Sequence, residues 1–173
     1  MDTKLEKQIN QIMTAKERRA ARQHRLLRVY GSTVISLTLN LPGGYRRYDR
    51  WQQVWHEARR ALEVLESVEK HHTSREGLWG PETFMAVGMG PLAVKVITTT
   101  IEERHPLGRL FDIDVIDLAG NPVSRKQLGK PARSCLICEK PAIECYLNRA
   151  HSLEELMKAV ETIIEEGLRS WTI

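Results

Sequence analysis

Apolar positions recur along this chain with two periods, and the two periods separate helices from strands. Val54, Ala58, Ala61, Leu62, Leu65 and Val68 share one face at helical spacing, which predicts a helix over 51–70. Leu153, Leu156, Met157, Val160, Ile163, Ile164 and Leu168 repeat that pattern to about residue 168, behind a Ser152/Glu155 capping box. Near the start, Leu5, Ile9 and Ile12 predict a short amphipathic helix over 3–13. Thr14 followed by Glu17 reads as the cap of a second helix running through Leu27. At 33–41 the pattern changes to alternation. Ile35, Leu37, Leu39 and Leu41 point one way and Ser36, Thr38 and Asn40 the other, as in a half-buried strand.

Glycine and proline punctuate the rest. Pro42-Gly43-Gly44 ends the first strand, and residues 71–82, with His71, His72, Gly77, Gly80 and Pro81, read as a loop. Residues 83–88 and 92–103 read as two strands joined by a Gly88-Met89-Gly90-Pro91 turn. His105–Gly108 breaks the chain before a further strand, Ala119–Pro122 closes that strand, and 124–134 is basic and irregular. Helix, strand, helix, three strands, a Cys-rich segment and a final helix make an α+β domain over 1–173, with helices packed on a mixed or antiparallel sheet.

Composition narrows the class. At 42% apolar and 28% charged residues, the 173-residue chain reads as an ordinary globular protein rather than a disordered one. Its net charge of +4 suits an anionic ligand or an acidic protein partner and does not demand nucleic acid. No apolar run approaches the roughly 18 residues of a membrane span, and the first residues lack an apolar signal core, so a cytoplasmic location is expected. Three cysteines within eleven residues do not make a secreted disulfide framework.

The chemistry concentrates in two places. In Gly108-Arg109-Leu110-Phe111-Asp112-Ile113-Asp114-Val115 a strand turns Asp112 and Asp114 to one face and Phe111, Ile113 and Val115 to the other. Two neighbouring carboxylates are costly unless a cation lies between them, and Mg²⁺ on such a pair serves phosphoryl transfer; the plainer reading is an exposed strand edge. Arg18, Arg22 and Arg25 share a helix face and offer either a solvated basic stripe or phosphate ligands. The second place is Cys135-Leu-Ile-Cys138, Cys145 and His151. These four residues suit a closed structural zinc site, with reduced, partly buried thiols as the alternative. No thioredoxin-like context supports a redox CxxC.

The run from His105 to Val115 resembles a signature of the citrate lyase holo-acyl-carrier-protein synthases, the apo-citrate lyase phosphoribosyl-dephospho-CoA transferases. Glu17–Gln23, Gly80-Pro81-Glu82, and Arg133–Cys138 with Cys145, Arg149 and His151 resemble the same family, so the likeness covers about residues 13–165. It implies a nucleotidyltransferase-like fold and activity. The prosthetic group of 2′-(5″-triphosphoribosyl)-3′-dephospho-CoA would be joined to a serine of the apo acyl carrier protein, the γ subunit of citrate lyase, with release of diphosphate. Asp112 and Asp114 would hold Mg²⁺. Charge and placement make Arg109, Arg18 and Arg22 candidates for the phosphates, Gln23 for the sugar or base, and Gly108 for backbone approach. Two rivals stand beside this reading: a related transferase serving another carrier, such as that of malonate decarboxylase, and a non-enzymatic zinc-stabilised interaction module. The sequence names no third acid, since Glu102 and Glu103 precede the strand and Asp117 falls on its opposite face.

Overall fold

A 28-residue helix, α1 (Thr3–Tyr30), opens the chain and lies across one face of a four-stranded sheet. The computed structural model describes residues 3–77 and 79–170, with side chains from residue 10 onward. Strand β1 (Thr33–Leu39) leads to α2 (Trp51–Ala61), continued by a tighter 3₁₀ stretch at Leu62–Val68. Then come β2 (Glu69–Gly77), β3 (Gly80–Val87), α3 (Pro91–Arg104), β4 (Phe111–Ile116), the short α4 (Ala142–Leu147) and α5 (Leu153–Arg169). The strand order is β2-β3-β1-β4 and every pairing is antiparallel, so the fold is α+β as expected. Among the described residues no helix is long and apolar enough to cross a membrane.

Alternation along the strands builds two cores. Ile35, Leu37, Met85, Val87, Phe111, Ile113 and Val115 face a main core shared with Val54, Ala58, Leu62, Leu65, Val94, Val160 and Ile164. On the other face Val34, Phe84 and Ile116 pack beneath Leu26 and Leu27 of α1. Because α1 covers that second face, β1 is buried on both sides through Leu37, where the sequence pattern had predicted a half-exposed strand.

Four elements differ from the expectations. The two N-terminal helices are one, because no glycine or proline interrupts residues 3–30 and Thr14 sits mid-helix; Leu5 and Ile9 have side chains outside the described residues. Gly31, at φ +53°, ends the helix and donates its N–H to the Leu27 carbonyl at 2.9 Å. The 51–70 helix stops at Ala61, though Leu62 and Leu65 keep its apolar face buried. Of the stretch predicted as a loop, residues 71–77 form most of β2 and 80–82 start β3. Residues 92–103 belong to α3 instead of a strand: Gly90 and Pro91 form a helix start, since the missing proline N–H costs nothing in the first turn.

Candidate active site and metal centre

On β4 the burial alternates as the sequence required, with Phe111, Ile113 and Val115 inward and Asp112 and Asp114 together on the face beneath α1. The register sets Thr38 opposite Asp112 and Ser36 opposite Asp114. Thr38 Oγ1 donates to Asp112 Oδ2 at 3.2 Å, whereas the buried Ser36 hydroxyl has no hydrogen-bond partner among the described residues. Asp112 keeps 47% of its side chain exposed. Burial, then the charge of Asp112, pushes the Asp114 carboxyl above its ordinary range, against the pull of Lys95 and Arg19. Such a pair gains from a cation between its members.

Glu82, from Gly80-Pro81-Glu82, supplies a third carboxylate to this face, two residues along β3 from Phe84, which pairs with Ser36. It is buried, and Arg19 Nε donates to its Oε1 at 3.3 Å. A cavity of about 190 Å³ opens here, lined by Lys16, Arg19, Thr38, Tyr45, Trp79 and Asp112 among others. Gly80 holds φ +131°, and a Cβ there would meet the Tyr45 ring at 3.3 Å, so glycine lets that ring close the cavity rim. Sequence reasoning missed Glu82 and Arg19. Arg19 lies about a quarter turn round the helix from the predicted arginine face, and Glu82 ends the 71–82 stretch that the sequence pattern predicts as a loop.

The outer edge of β4 is closed by side chains. Glu102 Oε1 accepts from Ile113 N–H at 3.1 Å, Lys95 Nζ donates to the Ile113 carbonyl at 3.2 Å, and Arg133 donates to the Phe111 carbonyl at 3.0 Å. Buried Glu102 pairs with both Arg125 (2.8 Å) and Arg133. Arg133 also stands 4.0 Å from Asp112 Oδ1.

The cations expected around the acids separate. Arg109 turns to the Cys segment and donates to the carbonyls of Ser134 and Cys135 at 2.7 and 2.9 Å. Gly108 has a packing reason: a Cβ would lie 2.6 Å from the carbonyl oxygens of Ile101 and Glu102. Arg18 and Arg22 line a groove between α1 and β2, and half-buried Gln23 lines neither that groove nor the acid cavity.

The Cys135, Cys138, Cys145 and His151 donor atoms all lie within 4.8 Å of one another. Cys138 Sγ stands 3.5 Å from Cys145 Sγ and 3.4 Å from His151 Nε2. A tetrahedral zinc with thiolates at about 2.3 Å requires donor spacings of about 3.8 Å, which this set matches. Burial, then the neighbouring thiols, pushes Cys145 up to about 12. Burial also raises Cys135, but hydrogen bonds from the Ile137 and Cys138 backbone outweigh it and bring that thiol down. A backbone clasp frames the set, with Cys135 N–H on the Lys140 carbonyl at 2.7 Å and Ala150 N–H on the Cys145 carbonyl at 3.0 Å.

Comparison with known proteins covers nearly the whole chain. The family profile described as apo-citrate lyase phosphoribosyl-dephospho-CoA transferase matches residues 7–167. The chain is similar to a Citrobacter koseri protein of that name, 29% identical over 92% of this chain and 89% of the relative. A Vibrio cholerae protein named "Probable apo-citrate lyase phosphoribosyl-dephospho-CoA transferase" is 33% identical over 91% and 92% of the two chains. An Escherichia coli protein bearing the Citrobacter name is 28% identical over 91% and 88%.

Proposed function

The chain belongs to the apo-citrate lyase phosphoribosyl-dephospho-CoA transferase family, and we propose that it attaches the phosphoribosyl-dephospho-CoA group to a serine of the apo acyl carrier subunit of citrate lyase. The donor is the 5″-triphosphate form of the group, and diphosphate leaves. The observation that carries this reading is the shared face of Asp112, Asp114 and Glu82, with Asp112 and Arg19 lining one cavity and Arg19 bonded to Glu82. One transferase domain over 1–173, nucleotidyltransferase-like in kind and working in the cytoplasm without nucleic acid or membrane, fits the size and charge of the chain.

The carrier serine oxygen attacks the α-phosphorus, the bond to the bridging oxygen breaks, and the diphosphate departs with the electron pair. Asp112, the more exposed acid, takes the serine proton, while Thr38 fixes its carboxylate by the 3.2 Å hydrogen bond. Arg19 and Lys16 line the cavity and hold the phosphate oxygens. Mg²⁺ held by Asp112 and Asp114 would offset the charge gathering on the phosphates. Glu82 keeps Arg19 directed at the face. Arg109 is a positioning residue that ties the Cys segment to the start of β4, and Cys135, Cys138, Cys145 and His151 hold a structural zinc.

Intact-mass measurement of the apo carrier tests the reading. Wild-type protein with the triphosphate donor and Mg²⁺ adds the group and releases diphosphate; Asp112→Asn and Asp114→Asn each lose at least about 100-fold in rate, a typical loss for a missing charged catalytic group. Full modification by either variant sinks it. Substituting the malonate decarboxylase carrier in the same assay separates the rival transferase, and absence of diphosphate release favours the interaction module.

A further inference from the structure

The short helix α4 carries an apolar face that nothing in the fold covers. Ile143, Tyr146 and Leu147 stand three and four residues apart, share one side of the helix, and are 59%, 78% and 70% exposed. The cause lies at Cys145, which is buried in the thiol cluster. Ile143 and Leu147 lie two residues to either side of it, a little over half a turn round, so holding the thiol inward turns both of them out. Single exposed apolar residues are ordinary on a protein surface, whereas three on one face mark a contact.

Beside this face runs a groove of about 780 Å³. Tyr146, Leu147, Leu153 and Leu156 give it apolar walls, Arg133 and Arg149 give it charge, and among the described residues no Asp or Glu lines it. Arg149 follows α4 at φ +48°, a left-handed conformation that glycine adopts without steric cost. Its exposed guanidinium makes no hydrogen bond or ion pair among the described residues. Apolar walls edged by arginine, with tyrosine at the lip, suit a protein surface that is apolar at its centre and acidic at its rim.

The groove also reaches the acids. Arg133 lines it and stands 4.0 Å from Asp112 Oδ1. Along residues 38–42 the chain divides groove from cavity, since Thr38, Leu39 and Leu41 line the acid cavity while Asn40 and Pro42 line the groove. In-line displacement at phosphorus needs separate approaches for the attacking oxygen and the leaving diphosphate. Lys16 and Arg19 occupy the cavity approach, which leaves the groove for the protein that brings the oxygen.

We propose that the α4 face and its groove dock the apo carrier, with an apolar side of the carrier on Tyr146 and Leu147, a carboxylate of the carrier on Arg149, and its serine turned past Arg133 toward Asp112. The inference rests on the transferase reading for the identity of the partner and adds the surface on which that partner sits.

Steady-state transfer with the carrier and the donor varied in turn tests it, beside calorimetric titration of apo carrier into the full chain. Tyr146→Ser/Leu147→Ser, shown folded by its melting curve, raises KM for the carrier at least tenfold and leaves kcat and KM for the donor unchanged. Arg149→Gln, outside the thiol cluster, raises KM for the carrier severalfold and flattens its salt dependence. Asp112→Asn, which does not turn over, binds apo carrier as wild type does. A KM for the carrier that neither variant moves overturns the surface and leaves the transferase reading standing. A rise in KM for the donor instead overturns it in favour of a small-molecule site, and a wild-type dimer that the double variant dissolves overturns it in favour of self-association. Wild type that binds the carrier through Tyr146 and Leu147 yet releases no diphosphate upholds the surface and overturns the transferase reading.

Discussion

Asp114 is where the cost of this site falls on a single residue. Its carboxyl is raised by burial first and by Asp112 second, so the folded chain holds that proton to a higher pH than the unfolded chain does. Between the ordinary aspartate value of 3.8 and the raised one, the folded state therefore binds more protons. Stability contributed by this group is greatest below that window and falls as pH rises through it. Asp114→Asn removes the conflict, and its Tm at neutral pH without metal is expected to exceed wild type by a few degrees, although transfer is lost. Differential scanning calorimetry at pH 7 checks this; a lower Tm contradicts it. The orphaned Ser36 hydroxyl beneath Asp114 belongs to the same trade, since a buried unpaired hydroxyl persists only where something else requires it.

At the scale of elements, β4 depends on α3. The inward positions of α3 are Val94, Lys95, Thr98, Thr99 and Glu102, a helical period written mostly in polar residues. Lys95 and Glu102 spend their charges on the β4 backbone. Glu102→Gln leaves Arg125 and Arg133 without their buried partner and is expected to cost about 3–5 kcal/mol in urea unfolding. A change under 1 kcal/mol would show the pairing to be idle. The same feature explains why sequence reasoning mistook this helix. Apolar periodicity finds helices that bury oil, and α3 buries hydrogen-bonding groups beneath a β-branched run from Val94 to Ile101 that looks like strand. Strand β2 escaped for a parallel reason, since Glu69-Lys-His-His-Thr-Ser-Arg-Glu-Gly77 has no apolar side to alternate. By contrast β1, β4 and α5 carry their periods in Leu, Ile and Val and were legible. So was the acid pair, because a two-residue spacing on a strand fixes a shared face. Arg19 and Glu82 were not, because their meeting depends on how α1 crosses β3, which no local pattern encodes.

Across the whole molecule the Cys segment closes the main-core side. Arg109 and the Ser134–Pro141 bridge bind it to the start of β4 and to α4, ahead of α5. Metal analysis of purified protein is expected to give one zinc per chain. Cys138→Ser is expected to lose it with a large fall in Tm, because zinc affinity becomes folding energy where ligands come from a short irregular segment. Zinc-free protein that melts as before would leave only clustered thiols. The two elements that hid from the apolar pattern stand at the two margins of the sheet: β2 is one outer strand, and α3 seals the other. An outer strand with unpaired backbone invites another molecule to add to it and grow into an aggregate. Here one margin is met by Lys95, Glu102 and Arg133, and the other carries charged and polar side chains that offer an incoming strand no oily surface. What made these stretches hard to read is also what leaves neither margin inviting to a further strand.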